Sequence, residues 1–179
     1  YKLKTFVDIG AAEGFHFISV IYKKIFLKGF AYEIEKQSRK ILSLNAKKNK
    51  IHNKIKLYGH ANFNNLKEDL KDTDLTKTLF LIDIEGGEFE LFTKKFCNFF
   101  SKSFFIVELH DFSLNNHITL KKFYQNVKSR FYITFVKDEY KSPGNLKIVE
   151  DLPDDERYLM MSEGRPTTMR WMILTPKIK

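Results

Sequence analysis

The chain has 179 residues, 43% of them hydrophobic and 30% charged, the balance expected of one soluble globular domain, 1–179, with a real core. It contains no run of about 18 apolar residues that could span a bilayer, and its lone cysteine, Cys97, excludes an internal disulfide and a cysteine-rich zinc site. The net charge of +9 invites a nucleic-acid partner, but lysines such as Lys23, Lys36, Lys47 and Lys54 are scattered over what read as solvated helix faces, so nucleic acid is not expected.

Tyr1 to Val7 already has the character of a strand, with no signal-peptide pattern. A cytoplasmic location is therefore expected, along with a further segment ahead of residue 1. The strand 3–9 closes on Val7-Asp8-Ile9-Gly10-Ala11-Ala12-Glu13-Gly14 and opens a helix over 13–26, with Phe17, Ile18, Ile21 and Ile25 on one face. Gly10 permits a tight turn, and Gly14 lets the helix start pass close to a ligand. The spacing G-x-x-x-G is neither the Walker loop nor the full dinucleotide fingerprint. Carboxylates at Asp8 and Glu13 would repel a pyrophosphate but suit a cofactor bearing a sulfonium and an ammonium. S-adenosylmethionine has both.

A second strand, 29–34, ends in Ala31-Tyr32-Glu33, with Glu33 about 20 residues beyond the glycines, where a carboxylate accepts hydrogen bonds from ribose hydroxyls. The alternative makes Glu33 a surface acid like its neighbour Glu35. A helix over 36–49 follows, with Ile41, Leu42 and Leu44 inward, and then a third strand, 55–58. Its sequel Gly59-His60-Ala61-Asn62 lies over the same crevice, where His60 or Asn62 contacts adenine or simply forms a polar loop.

The fourth strand, 79–84, carries Leu81-Ile82-Asp83-Ile84-Glu85-Gly86-Gly87-Glu88. Strand alternation places Asp83 and Glu85 on one side and Ile82 and Ile84 on the other. After a helix over 89–100, the fifth strand, 104–109, ends in Val107-Glu108-Leu109-His110-Asp111, which brings Glu108 and His110 to the same rim. Three readings stay open there. Glu85, Glu108 or His110 acts as a general base; a divalent cation binds Asp83, Glu85 and His110; or the acids cap helices and pair with Lys or Arg. The first is preferred, with no metal assigned and Asp83 given to the cofactor.

A helix over 120–130, a strand over 131–136, a helix start after Pro153 and a last strand over 170–174 complete the pattern. Alternating strands and helices followed by two terminal strands predict an α/β fold, with a mostly parallel seven-stranded sheet ending in an antiparallel hairpin.

Together, FVDIGAAEGFHF (6–17), AYEIE (31–35), LIDIEGGEFELF (81–92), IVELHDF (106–112) and SEGRPTTMRWMIL (162–174) resemble the FkbM-type methyltransferases. The resemblance implies a Rossmann-like class I methyltransferase fold, S-adenosyl-L-methionine as donor, and an oxygen nucleophile on a sugar or secondary metabolite. It implies that Asp8, Gly10 and Gly14, with Ala11 between them, border the methionine part of the cofactor and that Glu33 holds its ribose. Asp83, Glu85 and Glu88 match the family's acidic block. Of the tail arginines 157, 165 and 170, pairing with Asp154, Asp155 or Glu163 explains most; Arg165 is the candidate for gripping an anionic group of the substrate. The expected acceptor is a small molecule or carbohydrate. A nucleic-acid methyltransferase is one alternative, disfavoured by the lack of an Asn/Asp-Pro-Pro-Tyr/Phe motif, and a non-catalytic cofactor-binding domain is another.

Overall fold

The computed structural model describes residues 2–113, 117–137, 146–161 and 169–177. Seven strands form one sheet: β1 (Thr5–Ile9), β2 (Lys28–Tyr32), β3 (Ile55–Tyr58), β4 (Thr78–Ile82), β5 (Phe104–Leu109), β6 (Phe131–Lys137) and β7 (Arg170–Pro176). Their order is β3-β2-β1-β4-β5-β7-β6. Neighbours from β3 through β5 are parallel, whereas β7 runs antiparallel to both β5 and β6. The expected α/β sheet with its terminal antiparallel hairpin is therefore present.

Helices α1 (Phe15–Tyr22), α2 (Lys36–Lys48), α3 (Phe63–Asp69), α4 (Glu88–Leu91), α5 (Lys94–Phe99), α6 (His117–Lys128) and α7 (Asp154–Met161) complete the chain. No helix among the described residues is long and apolar enough to cross a membrane.

The central strands of the sheet are buried on both faces, which is why they read as near-continuous apolar runs. Every residue of β1 is buried. Val7, Ile9, Phe80, Ile82, Phe105 and Val107 pack one face against α4, α5 and α6, through rings such as Phe92, Phe96 and Phe123. Phe6 and Ala31 face the other side, where α1 and α2 supply Phe17, Ile18, Ile21 and Leu42.

Three helical expectations are corrected. The first helix is shorter than 13–26, so Ile25 falls beyond it and is 61% exposed. Leu44 is 57% exposed on α2, where Leu42 and Ala46 are the buried positions. The stretch 89–100 is two helices, because Thr93 leaves helical geometry and its hydroxyl caps α5 through the Phe96 amide. Glu35, read as an exposed neighbour, is the N-cap of α2 and accepts from the Gln37 amide, one of the donors a helix start leaves unpaired.

Strand parity also sets the polar residues. Alternation puts Asp8 on the Phe6 side of β1, Glu108 on the Ile106 side of β5, and Asp83 on the side of Leu79 and Leu81, just past β4. Adjacent strands thus end in acids on one face of the sheet.

Candidate functional site

The carboxyl ends of β1 to β4 open onto a cavity of about 640 Å3, the usual position for a ligand in an open parallel sheet. Ile9 and Gly10 form its floor at β1. Tyr32, Glu33 and Ile34 enter from β2, and Gly59, His60 and Ala61 from β3. Asp83, Ile84 and Glu85 enter from β4, with Glu90 and Leu91 beyond them.

The glycine turn is built by close approach. Gly10 has φ +90°, and a Cβ there would lie 1.8 Å from the backbone oxygen of Asp83. The Asp83 amide in turn donates to Ile9 O at 3.0 Å, so the ends of β1 and β4 are in direct backbone contact. Gly14, φ +89°, is the left-handed N-cap of α1. Ala12, φ +45°, is held in the same uncommon region. Its amide donates to Glu33 Oε2 at 2.9 Å, while Glu33 Oε1 accepts from the Glu35 amide at 2.7 Å. Glu33 is thus no free surface acid: it ties the tip of β2 to the glycine turn. A carboxylate offers about four acceptor sites, so both oxygens keep capacity for a ligand hydroxyl.

Asp8 lies beneath the cavity, 3% exposed. Burial above all, then the nearby charges of Asp83 and Glu33, pushes its carboxyl up to about 7. An ionised acid in that position is costly unless a cation joins it.

At the β4–α4 turn, Glu85 adopts φ +50° and Gly86 φ +101°. The left-handed turn, not strand alternation, carries Asp83 and Glu85 to the same neighbour: Glu85 Oε2 is 3.2 Å and Asp83 Oδ1 3.6 Å from His110 Nε2. Non-glycine residues held there concentrate at functional turns. The imidazole is 2% exposed. Beyond it, Glu88 is fully buried, accepting from the Gly86 amide at 2.9 Å and the His110 amide at 2.8 Å, with His110 Nδ1 at 3.3 Å. Asp83 Oδ1 is buried with no hydrogen-bond partner among the described residues.

Gly10, Glu33, His60, Ala61, Asp83 and Glu85 thus line one cavity. Asp8, Ala11, Gly14, Glu108 and His110 are not in its lining. Asp8, Glu108 and His110 form a buried polar layer behind it. Asp83, Glu108 and His110 each bring a ligand-type atom within 4.8 Å of the others; the grouping that converges includes Glu108 where the cation reading named Glu85. Gly59, Phe63 and Glu90 carry no sequence-based role, and Glu88 has one only as a member of the acidic block that the family resemblance implies. A buried Glu with backbone donors in two loops leaves no local sequence signature. In the tail, Arg157 pairs with Asp154 as expected, while Arg170 pairs with Asp111 instead of an acid of its own segment. Arg165 and Glu163 lie outside the described residues.

No protein-family model and no curated protein sequence matches the chain. Solved structures do. The MccD protein superposes with a TM-score of 0.58 at 17% identity, over 98% of this chain and 91% of that one. The O-methyltransferase from Bacillus cereus, in complex with SAH, gives a TM-score of 0.62 at 11% identity over 96% and 74%. The B. subtilis M1A22 tRNA methyltransferase TrmK gives 0.57 at 11% over 97% and 60%. The fold is the Rossmann-like methyltransferase fold. Its neighbours act on acceptors as different as those two names imply, so the fold does not choose between them.

Proposed function

We propose that the chain is an S-adenosylmethionine-dependent methyltransferase of the FkbM type, acting on a hydroxyl of a small or carbohydrate-like acceptor. The carrying observation is the charge of the cavity. A protein of net charge +9 lines it with Glu33, Asp83, Glu85 and Glu90 and, among the described residues, with no Lys or Arg. Asp8 below adds a carboxyl that burial raises to about 7, so a cation overhead would favour its ionised form. Such a site selects a cation with hydroxyls and an apolar body, and the Bacillus cereus neighbour was crystallised with SAH.

Glu33 would hold the ribose hydroxyls. Asp83, on the cavity wall, would face the ammonium or sulfonium end. His60 and Ala61 would border adenine, between the apolar walls of Ile34 and Phe63. When bound, S-adenosylmethionine supplies a methyl group on sulfur; its transfer to oxygen leaves a thioether and frees the hydroxyl proton. Glu85 is exposed to the cavity and touches His110, so it is the group placed to take that proton. His110 acts through Glu85 and Asp83 from behind the wall. The main work is alignment of nucleophile and methyl carbon, with proton removal adding to it.

One observation favours a second reading: the basic charge combined with the TrmK likeness fits an RNA acceptor. Incubation with radiolabelled S-adenosylmethionine separates the two. Label in a panel of sugars and hydroxylated metabolites, reduced at least tenfold in Glu85→Gln, supports O-methylation. Label only in transfer RNA overturns the acceptor assignment, and label in neither class overturns the enzymatic one.

A further inference from the structure

We propose that the opposite end of the sheet carries a second ligand site, for a compact phosphate-bearing small molecule with two or more negative charges. Where β1, β4, β5, β7 and β6 stand side by side, their lower ends enclose a cavity of about 750 Å3, within the range of small-molecule sites. Each of these five strands contributes one cation to its lining. Lys2 precedes β1, Lys77 precedes β4, Lys102 precedes β5, Arg130 precedes β6 and Lys177 follows β7. Among the described residues, no carboxylate side chain lines it.

The two cavities therefore divide the charge of the molecule, acids at the upper rim and cations at the lower. A uniformly basic surface would not do this. Part of the lower set has structural work. Helices α5 and α6 end near this rim, and cations suit the negative end of a helix. Lys177 Nζ donates to Lys128 O at 2.6 Å, Arg130 Nε to Asn98 Oδ1 at 2.7 Å, and Lys77 pairs with Asp74 at 3.0 Å. These anchors fix three of the five in place. Lys2 and Lys102 have no carboxylate within ion-pair distance among the described residues, and Ser101 adds a hydroxyl donor to the same wall. Clustered like charges repel one another, and an anion with several acceptor oxygens relieves that repulsion with charge-assisted hydrogen bonds. Concavity and size favour a compact ligand over an extended strand.

Titration calorimetry of the full chain with inorganic pyrophosphate, and separately with ADP, at near-physiological ionic strength tests the site. Binding of either probe, weakened about tenfold by Lys102→Glu and within twofold of wild type in Lys40→Glu, supports it. Lys40 is an exposed lysine of α2 far from this rim, so the second variant carries the same charge change without touching the cavity. The two probes distinguish phosphate alone from a nucleoside phosphate as the preferred source. Four results overturn the proposal: no binding of either probe, equal weakening in both variants, competition with adenosylhomocysteine, or affinity for RNA that rises steadily with oligomer length.

Discussion

The carboxylate of Glu88 holds His110 by both backbone and ring: Oε1 is 2.8 Å from the His110 amide and 3.3 Å from Nδ1. Its other oxygen accepts from the Gly86 amide at 2.9 Å. One buried side chain therefore joins the β4–α4 turn to the end of β5 and leaves Nε2 directed at Glu85 and Asp83.

Glu88→Gln keeps the shape but replaces one acceptor oxygen with a donor, facing either an amide or the ring. Leaving a buried donor unpaired costs about 1–3 kcal/mol. The unfolding free energy from urea titration should fall by that amount, with a lower midpoint, and Glu88→Ala should lose more. Turnover in Glu88→Gln should drop further than its folded fraction, because the imidazole loses its anchor. An unchanged midpoint would show that Glu88 does not clamp the two loops.

Asp8 gives stability a pH dependence of unusual sign. Its folded-state carboxyl is raised from 3.8 to about 7, so the native state binds the extra proton and stability declines as pH rises between those values. A shift of this size corresponds to a difference on the order of 4 kcal/mol between the ends of the window. Wild type should lose melting temperature from about pH 4.5 to pH 7.5 relative to Asp8→Asn, and both should run parallel above it. Because a cation overhead favours the ionised form, S-adenosylmethionine should release more protons on binding near pH 6.5 than adenosylhomocysteine. Calorimetry in buffers of different ionisation enthalpy measures this. Identical pH profiles in the two proteins would remove Asp8 from the electrostatics of the site.

Gly10→Ala should be among the most damaging single-methyl substitutions in the chain. It places a Cβ against the Asp83 carbonyl at φ +90°, where L residues are disfavoured. A loss of more than about 2 kcal/mol in chemical unfolding is expected. Gly59→Ala, whose Cβ would meet only Arg39 Nη1 at 3.9 Å, should be nearly neutral. Equal stability of the two variants would contradict the close approach of β1 and β4.

Much of this was legible in the sequence, for a physical reason. A strand buried on both faces leaves a nearly unbroken apolar run, which marks out 104–109; the edge strand 55–58 is only partly buried. The parallel sheet and its terminal hairpin follow from the alternation of strands and helices, whereas the strand order is seen only in the structure. Contacts set by tertiary approach were less visible. The break at Thr93 lies within an otherwise continuous apolar pattern. Asp8 and Glu33 were recognised as acids near the glycines, but strand parity buries Asp8 behind the cavity, and the Ala12 and Glu35 amides give Glu33 a structural task. Asp83 and Glu85 were expected to converge by strand alternation, and they converge through a left-handed turn instead. Glu88 and His110 lie 22 positions apart, a pairing that no local motif encodes.

The central claim is tested most directly by calorimetric titration of adenosylhomocysteine into wild type, Gly59→Ala and Gly59→Phe. Position 59 lies on the cavity wall, and a Cβ there would meet only the end of the Arg39 side chain, so a bulky ring is expected to crowd the cavity without straining the backbone. Saturable one-to-one binding should occur in wild type and the alanine variant and vanish in a folded Gly59→Phe. Undiminished binding in Gly59→Phe, or none in the wild type, would contradict the placement of the cofactor above β1 and β2.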